Sequence, residues 1–545
     1  LADSDATGTG RLDLDRLTVN AGSGNILIRG ETMSWATDSA DTIPILIGTG
    51  ALTIEPSDQS FGQDTDFTSW IKLDEADASF TSVTLGKPTN TANMSLGVNA
   101  AATAAVSVNG PITVYGSDVS VAQELESTAA DADVLLKGSG NITLAASKSI
   151  ITNGGDITLW SNSDGETTNG GYIYLKDGVT LDSRTASDRT ANDGTADDVG
   201  GGTITLGGGD AGTTVPTGYA LNNSTTIRGG INLGTESGGA TRHNSNVTVL
   251  SGGGNISFKG QQTSQYNGDS AGINAYEGFT LDAGKTGDIT LVGSAIAGSG
   301  VNYSDGLNLG NFATTPGGTA SYIQTVDGDI SIQGSASDAT VESRGVLLAG
   351  GGAGINIQSS GAGSIDITGT PGGTGTQYNI LLIGANVLAN SGATDLTGGS
   401  TGKIFSNYFA STIGYKSGSD VTSSTSNITV TGDDFDLSSG FNFNTAGNLT
   451  IEPHGASFTT AFNTKQLTYS SDLSGLTIGK AGNTENITID SVTTIAGPIQ
   501  LYGGDIAIDD VLSATDGAPT PTLSDVALHA SGDVTQTAAI TAAGL

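Results

Sequence analysis

Short strings in which apolar and polar residues alternate recur along the chain. Between Gly138 and Ser161 the sequence GSGNITLAASKSIITNGGDITLWS contains two of them, beginning at Ile142 and at Ile157, each preceded by a glycine-containing corner. Other copies are GNILI from Gly24, GALTI from Gly50, GTITL from Gly202, GNISF from Gly254, GDISI from Gly328 and GNLTI from Gly447. Alternation with a period of two, carried by Ile, Val and Thr, is typical of a β-strand with one buried face. The pattern therefore predicts an all-β chain.

The spacing of these strings decides between β architectures. Successive strings begin at Ile142, at Ile157 and at Ile173, with little sequence between them. Strands this short do not suit an ordinary set of β-sandwiches, which is the alternative and would also need a more aromatic core. Wound into a coil, each short strand pairs with its counterpart one turn above and below. We predict a right-handed parallel β-helix (β-solenoid), elongated, with about 20–25 residues per turn and with projecting loops.

A second, longer repeat lies over the short one. LTIEPSDQSF from Leu52 returns as LTIEPHGASF from Leu449, and three further matches follow in the same order. Residues 52–142 thereby match residues 449–534, at an offset of about 390 residues. Chance self-similarity of a Gly/Thr/Ile-rich sequence is the alternative. We predict one continuous β-solenoid over residues 1–545, whose long module is the unit of a tandem array.

One stretch interrupts this rhythm with acidic and glycine-rich sequence. Residues 182–202 read DSRTASDRTANDGTADDVGGG and are predicted to be a loop insertion. The calcium-loop order D-x-[DN]-x-[DN]-G is broken, because Arg189 and Ala191 stand where ligands belong. We therefore predict no metal site, with calcium in this loop as a weaker alternative. Its candidate ligands would be Asp188, Asp193, Asp197 and Asp198.

Composition and charge exclude several classes of function. The 545 residues include 55 acidic and 19 basic side chains, a net charge of −36, and no cysteine. The acidic excess argues against nucleic acid as a partner, because phosphate contacts need a basic face. No run approaches the ~18 apolar residues of a membrane span. The absence of cysteine excludes a disulfide framework and a thiolate metal site.

Candidate catalytic and binding residues are sparse. The three histidines stand apart from one another at positions 243, 454 and 529, so no metal-ligand spacing is present. Trp35, Trp70 and Trp160 are also far apart and are expected to serve packing. A β-helical polysaccharide lyase or hydrolase would need clustered carboxylates with a basic residue, for which Arg184 and Arg189 are the first to inspect. We predict no catalytic residues, no cofactor and no enzyme, with such a lyase or hydrolase as an alternative.

The strings SGNITLAASKSIITNGGDITLWS, GPIQLYGGDIAI and GDVTQTAAITAAGL resemble the filamentous-haemagglutinin-like exoproteins and adhesins of bacteria, which use two-partner secretion. The resemblance implies a right-handed parallel β-helix, export, and a role in attachment at the bacterial cell surface. It carries no catalytic residues.

The resulting functional hypothesis is a segment of a very large secreted or cell-surface rod, acting as an adhesin or structural stalk in attachment or cell–cell contact. Its expected partners are a neighbouring cell surface, through a glycan or protein receptor, and other rods through self-association. A subunit of an extracellular filament or sheath is the other structural alternative.

Overall fold

The alternating strings form short β-strands in the structure, which is a computed structural model. It describes residues 11–14, 18–34, 45–67, 79–97, 105–167, 170–191, 196–209, 212–235, 245–264, 269–296, 301–310, 318–337, 339–350, 353–406, 409–436, 440–515 and 522–545. The chain divides into two compact units. Unit 1 comprises Leu1–Ser237, Ser245–Gln262 and Thr280–Gly287, and unit 2 comprises Gly238–Asn244, Thr263–Phe279 and Asp288–Leu545.

The elements from the first described residues to Asp282 are strands of two to seven residues and one short helix. In chain order they are β1 (Arg11–Asp13), β2 (Thr18–Asn20), β3 (Ile26–Arg29), β4 (Thr32–Ser34), β5 (Ile45–Ile47), β6 (Ala51–Glu55), β7 (Thr65–Asp66), β8 (Ser82–Leu85), β9 (Met94–Leu96), β10 (Val106–Val108), β11 (Ile112–Gly116), β12 (Val119–Val121), β13 (Leu125–Ala130), β14 (Val134–Gly138), β15 (Ile142–Leu144), β16 (Ser149–Asn153), β17 (Ile157–Trp160), β18 (Ile173–Leu175), β19 (Thr180–Asp182), α1 (Ala186–Thr190), β20 (Ile204–Gly207), β21 (Ala220–Asn222), β22 (Gly229–Leu233), β23 (Thr248–Leu250), β24 (Ile256–Gln262), β25 (Asp269–Ala275) and β26 (Thr280–Asp282).

The elements after Asp282 are all strands in the described part of the chain. They are β27 (Ile289–Ala295), β28 (Val301–Gly310), β29 (Ser321–Thr325), β30 (Ile330–Ala336), β31 (Ala339–Ala349), β32 (Ile355–Ser359), β33 (Ile365–Thr370), β34 (Thr376–Ile383), β35 (Ala385–Ala389), β36 (Thr394–Gly398), β37 (Lys403–Ser406), β38 (Ser411–Gly414), β39 (Ile428–Thr431), β40 (Phe435–Asp436), β41 (Phe441–Asn444), β42 (Asn448–Glu452), β43 (Phe462–Asn463), β44 (Leu467–Tyr469), β45 (Gly475–Ile478), β46 (Ile487–Ile489), β47 (Thr493–Ile495), β48 (Ile499–Gly503), β49 (Ile506–Ile508), β50 (Leu512–Ala514), β51 (Val526–Ala530), β52 (Val534–Gln536) and β53 (Ile540–Thr541).

Three parallel sheets run through unit 1, and each turn from β8 to β19 contributes one strand to each of them. The first sheet contains β3, β6, β8, β11, β14, β17, β20, β21 and β24. The second contains β7, β9, β12, β15, β18 and β22, and the third contains β10, β13, β16, β19, β23 and β26. Since the chain visits the first, second and third sheets in that order before it returns, unit 1 is a parallel β-solenoid.

Unit 2 has the same construction. Its first sheet contains β27, β30, β33, β36, β39, β42, β45, β48 and β51. Its second contains β25, β28, β31, β34, β37 and β40, its third β29, β32, β35, β38, β41 and β44, and two smaller sheets are β43–β46–β49–β52 and β47–β50–β53. The prediction of an all-β parallel β-solenoid is therefore confirmed, whereas one continuous solenoid over residues 1–545 stays a prediction.

Most turns are longer than the predicted turn of roughly 20–25 residues. Ile142 and Ile157, which begin the two strings of the opening stretch, lie in different sheets: Ile142 pairs with Ile173, and Ile157 pairs with Ile204. Along the first sheets, the step from β39 to β42 is short, whereas those from β17 to β20 and from β20 to β24 contain inserted loops and are more than twice as long. The short sequence spacing from Ile142 to Ile157 therefore spans only part of a turn, from the second sheet past β16 of the third sheet to the first.

Inward-facing side chains from successive turns form apolar columns. In the first sheet of unit 1 the inner column is Ile112, Val134, Ile157, Ile204 and Ile256, and each of these side chains is at most 1% exposed. Burying one such side chain contributes ~1.5–3 kcal/mol. Because parallel pairing keeps alternate residues on one face, the same register that builds this core sends the polar residues outward.

The Asp or Asn that precedes many strands has a specific role at the corner. Its side-chain oxygen accepts a hydrogen bond from the backbone N–H at the equivalent corner of the next turn. The second sheet of unit 1 has a continuous series of these bonds, with donor–acceptor distances of 2.7–3.1 Å, from Asp64 through Asn93, Asp118 and Asn141 to the N–H of Tyr172. In unit 2 the same bonds follow Asp288–Asp329–Ser364 and Asn486–Asp505–Asp533. This corner ladder explains why G-[DN]-I precedes so many strands.

Both copies of the long repeat contain the same buried asparagine staple. Asn90 accepts a backbone N–H through Oδ1 and donates through Nδ2 to the carbonyl of Tyr115, at 3.1 and 2.9 Å. Asn483, the corresponding residue, makes the same two bonds, with Tyr502 as the carbonyl partner, at 3.1 and 2.7 Å. Each asparagine is 4% exposed. The side chain fixes a corner to the strand of the following turn, because a buried amide needs all of its partners.

In unit 2 the first and second sheets approach closely at glycines. A Cβ on Gly345 would overlap the backbone N of Thr370 and would lie 2.6 Å from the carbonyl carbon of Gly369. Gly306 and Gly334 have equally close backbone neighbours in the facing sheet. Only a residue without a side chain fits between two backbones at these distances. The glycines therefore let the two sheets touch, and the amino-terminal halves of β28 and β31 extend beyond that contact.

The sequence YFASTIGYKSGSD at residues 408–420 breaks the alternating pattern, but it is only partly irregular in the structure. Residues 411–414 form β38 in the third sheet of unit 2, and Tyr408 lies outside the described residues. The chain that follows β38 folds back onto the sheet: Lys416 Nζ donates to Asn386 Oδ1 at 3.1 Å, and Asp420 accepts from Gln358 Nε2 at 2.6 Å. Asn386 and Gln358, although they face outward, are consequently buried.

The corner ladder can be tested at Asp156, whose Oδ1 accepts the N–H of Thr203 at 2.7 Å and whose own N–H donates to Asp133 at 2.8 Å. Asp156→Ala should lower the free energy of unfolding by about 1 kcal/mol, because one cross-turn acceptor is lost. Asp156→Asn keeps the acceptor and should match the parent in urea unfolding. Hydrogen exchange at Thr203 should be faster in the alanine variant alone; equal losses in both variants would contradict the ladder.

The glycine contact predicts a large difference between two Gly→Ala substitutions in unit 2. Gly345→Ala should lower the free energy of unfolding by about 3 kcal/mol or more, because the new methyl group meets rigid backbone. Gly399→Ala is the matched control: its Cβ would meet only Asn379 Oδ1, at an ordinary 3.7 Å. That variant should stay within about 1 kcal/mol of the parent. Similar midpoints of urea unfolding for both variants would refute the close approach.

Candidate functional site

The acidic insertion at residues 182–202 is organised around an arginine. It lies between β19 and β20 of unit 1, where Arg184 makes a two-bond ion pair with Asp182: Nε to Oδ1 at 3.1 Å and Nη2 to Oδ2 at 2.9 Å. Nη1 of Arg184 lies 3.7 Å from Oδ2 of Asp198, which is 2% exposed. The two acids and the arginine thus form a nearly buried cluster at the corner that follows the third sheet.

The insertion is fixed to neighbouring turns of unit 1. Arg189 Nη1 donates to the carbonyl of Thr152 at 2.5 Å and also to the carbonyl of Arg184. The N–H of Ala186 donates to Asn153 Oδ1 at 2.7 Å, where the short helix α1 begins. The N–H of Lys285 donates to the carbonyl of Asp198 at 3.1 Å. Both arginines are therefore used to hold the loop.

Burial governs the electrostatics of this cluster. It raises the pKa of Asp198 to about 6, with the Arg184 guanidinium opposing the shift and with Asp188, Asp282 and Asp197 adding to it. Burial alone would lower the pKa of Arg184, but the hydrogen bonds and charges of Asp182 and Asp198 raise it above its usual value. Arg184 is thus the cation that contacts both Asp182 and Asp198.

The calcium candidates are only partly brought together. Asp198 is buried beside Arg184, Asp188 is partly exposed on α1 and Asp197 is exposed, while Asp193 lies outside the described residues. Over the residues with described positions, no group of three or more acidic, histidine or cysteine side chains has the arrangement of a metal site. A calcium site that includes Asp193 stays an untested alternative to the prediction of no metal site.

A second buried ion pair lies in unit 2. Asp305 Oδ1 and Arg344 Nε are 2.7 Å apart on adjacent turns of the second sheet, and their side chains are 0% and 6% exposed. The Tyr303 ring lies 5.6 Å from Arg344 Cζ. Burial raises the pKa of the nearby Glu342, with Arg344 opposing and Asp305 adding to the shift. Because the Asp305–Arg344 pair is enclosed, its role is structural. Removing one partner would leave a buried charge uncompensated.

The histidines and tryptophans are separated in the described structure. His454 and His529 are exposed, and His529 stacks on Tyr502 with ring centroids 4.3 Å apart. Trp160 is 1% exposed, as expected for a packing residue. His243, Trp35 and Trp70 lie outside the described residues.

An open groove of about 550 Å³ lies on the outward face of the first sheet of unit 1. Tyr115, Lys137 and Trp160 occupy the same position on β11, β14 and β17, so their side chains form one outward column along its floor. The Lys137 ammonium lies over the Trp160 ring, 3.5 Å from its centroid. Burial raises the pKa of the Tyr115 phenol. We call this feature the Tyr115 groove.

Three loops form the walls of the Tyr115 groove: residues 88–91, 163–164 and 213–214. The Asn90 staple fixes the first wall to the backbone of Tyr115. The third is fixed at both sides, because Trp160 Nε1 donates to the carbonyl of Gly209 and Lys259 Nζ donates to that of Thr217, each at 2.8 Å. The walls are therefore held by the sheet beneath them, which favours a preformed site.

The lining of the groove combines an aromatic ring with many polar groups. Its described hydroxyl-bearing residues are Thr89, Thr91, Tyr115, Ser139, Ser163, Thr213 and Thr214. The charged residues in the same lining are Lys137 and Asp164. A cavity of this size lies within the ~300–1,000 Å³ typical of small-molecule sites. Chemically, such a surface can bind an uncharged or weakly charged polyhydroxyl ligand through many directional hydrogen bonds.

Sequence inspection misses this groove although a signal exists. An Ile/Val-x-Leu/Val string comes directly before each of Tyr115, Lys137 and Trp160. Lys137 lies one turn of the solenoid after Tyr115, and Trp160 lies one turn after Lys137. The coil is predicted from the shorter spacing between Ile142 and Ile157. That spacing does not reveal the column, because the two residues lie in different sheets.

The comparisons with known proteins leave the family open. No protein-family model, no curated protein and no solved structure matches the chain. In the described ranges no helix has the length and hydrophobicity to cross a membrane.

The raised pKa of Asp198 predicts a pH-dependent stability. Well below pH 4 the carboxyl is protonated in both states, and between about pH 4 and 6 the folded chain keeps a proton that the unfolded chain has lost. The contribution of Asp198 therefore falls as pH rises. The free energy of unfolding of Asp198→Asn, relative to the parent, should increase by on the order of 2 kcal/mol from pH 4 to pH 7.

Urea unfolding at pH 4, 5, 6 and 7 measures this difference. Asp197→Asn, at an exposed neighbouring position, is the matched control and should show a much smaller trend, because the charge of Asp197 makes the smallest contribution to the raised pKa of Asp198. A constant difference between Asp198→Asn and the parent across the pH series would contradict the assigned burial.

Proposed function

We propose that the chain is a segment of a secreted or bacterial cell-surface β-solenoid that acts as an adhesin or structural stalk in attachment or cell–cell contact, without catalysis. The parallel stacking of turns in each unit supports this function most directly. Successive strands are joined by backbone ladders, and the corner Asp and Asn residues add a second set of bonds between the same turns. Extending such a stack requires many hydrogen bonds to break together.

The outward faces support a binding role on that scaffold. Each turn places polar side chains in register with those of its neighbours, so a loop inserted at one turn stands beside fixed columns from the others. The Tyr115 groove has this arrangement in unit 1, with its floor on three turns and its walls on inserted loops. The similarity to filamentous-haemagglutinin-like strings is consistent with such a role, and partners would be a glycan or protein receptor on a neighbouring cell, or a second rod.

The high negative charge fits an extracellular, weakly self-adhering scaffold. A net charge of −36 keeps polar surfaces of separate copies apart at low ionic strength. Attachment would then depend on local sites and not on a general electrostatic attraction to anionic cell surfaces.

The attachment function is tested with the full 545-residue chain coupled to latex beads through one terminus. We expect these beads to stay attached, under flow, to cells taken from the natural habitat of the protein. Beads coated with an unrelated acidic protein of similar charge should be washed away. Beads that detach as readily as the control would overturn the adhesin role.

Electron microscopy of the free chain checks the alternative, since ordered polymers would favour a filament or sheath subunit. Release of fragments from acidic polysaccharides would instead establish a lyase or hydrolase.

A further inference from the structure

The Tyr115 groove contains more binding chemistry than the scaffold needs. Tyr115, Lys137 and Asp164 contribute a phenol, an ammonium and a carboxylate to one open cavity of about 550 Å³. The sheet beneath would be complete without them, because the inner column of the same strands is already buried. The corresponding outward position on the next turn is Gly207, so the column of side chains along this floor ends at Trp160.

We propose that the Tyr115 groove is a saccharide-binding site, an inference that rests on the attachment function proposed above and gives it a ligand class. A sugar ring has an apolar face of C–H groups and a rim of hydroxyls. The half-buried ring of Tyr115 can contact the apolar face, as aromatic side chains with a polar tip do at wet binding surfaces.

The remaining groups fit the hydroxyl rim. Hydroxyl groups of a sugar both donate and accept hydrogen bonds, so they need both kinds of partner nearby. The lining has threonine and serine hydroxyls, the donor Lys137 and the acceptor Asp164. Hydrogen bonds to charged groups are the stronger ones, so Lys137 and Asp164 are expected to set which sugar is preferred.

The floor of the groove is ordered before any ligand binds. The Lys137 ammonium rests over Trp160, and the Trp160 indole N–H is bonded to the wall at Gly209. A ligand therefore meets side chains whose positions are already fixed, which reduces the entropy lost on binding.

The second copy of the long repeat has a matched position with different surroundings. Tyr502 corresponds to Tyr115, and His529 replaces Lys137. The imidazole of His529 lies nearly parallel to the Tyr502 ring, with an interplanar angle of 9° and centroids 4.3 Å apart, and so covers one ring face. The Tyr502 hydroxyl donates to Gln500 Oε1 at 3.0 Å. Tyr502 is consequently a control for tyrosine removal at the same place in the repeat.

The test is binding of the fluorescently labelled full chain to a printed array of bacterial, plant and animal glycans. We expect a related set of glycans to be bound by the parent and by Tyr502→Ala. Tyr115→Ala should reduce binding about tenfold or more, through loss of the stacking ring. Whether the bound set is neutral or carries uronate groups shows whether Lys137 pairs with an acid or with a hydroxyl.

Thr214→Arg keeps the test decisive if Tyr115→Ala is unstable. Thr214 is exposed on the wall, so an arginine there fills the groove without removing a buried contact. Circular dichroism should be unchanged in this variant while glycan binding is lost. The inference is overturned if the parent binds no glycan, or if Tyr115→Ala and Thr214→Arg both bind the same glycans as strongly as the parent. Beads that adhere to cells although no glycan is bound would leave the attachment function standing with a protein receptor.

Discussion

In-register pairing between one turn and the next is the interaction on which each unit of this protein depends. Val134, Ile157 and Ile204 follow one another in the same column because each strand forms a parallel ladder with its successor. A slip of one residue would send the whole apolar set to the outside. The corner ladder of Asp and Asn resists such a slip, since an acceptor at each strand start fits only one N–H of the following turn.

The same constraint gives part of the acidic composition a structural use. Asp118, Asp156, Asp329 and Asp505 each accept a backbone N–H from the next turn. Stacking of such acids has an electrostatic cost: burial raises the pKa of Asp133, and the neighbouring carboxylate of Asp156 adds to the shift while its N–H opposes it. At two buried positions arginine compensates for the acids, in the Arg184 and Arg344 ion pairs.

Grooves on such a scaffold arise where an outward column meets an inserted loop. The column alone is flat, and a loop alone has no fixed position. In the Tyr115 groove the two are joined by specific bonds, from Asn90 to Tyr115 and from Trp160 to Gly209. The acidic insertion shows the other outcome, because Arg184 and Arg189 use its polar groups to fasten the loop to the solenoid.

Local sequence determined the strands and the class of fold, because alternation along a short string and a glycine or asparagine corner depend only on near neighbours. Gly154, for example, has a φ of +85°, which an L side chain rarely adopts. Sequence also pointed to the acidic insertion, but not to Arg184 as the group that holds it. The length of each turn, the partnership of Ile142 with Ile173, and the meeting of Tyr115 with Lys137 and Trp160 were decided by tertiary structure. These three features depend on which distant strands pair. That pairing is set by the register of many turns together and by loops whose lengths differ from one turn to the next.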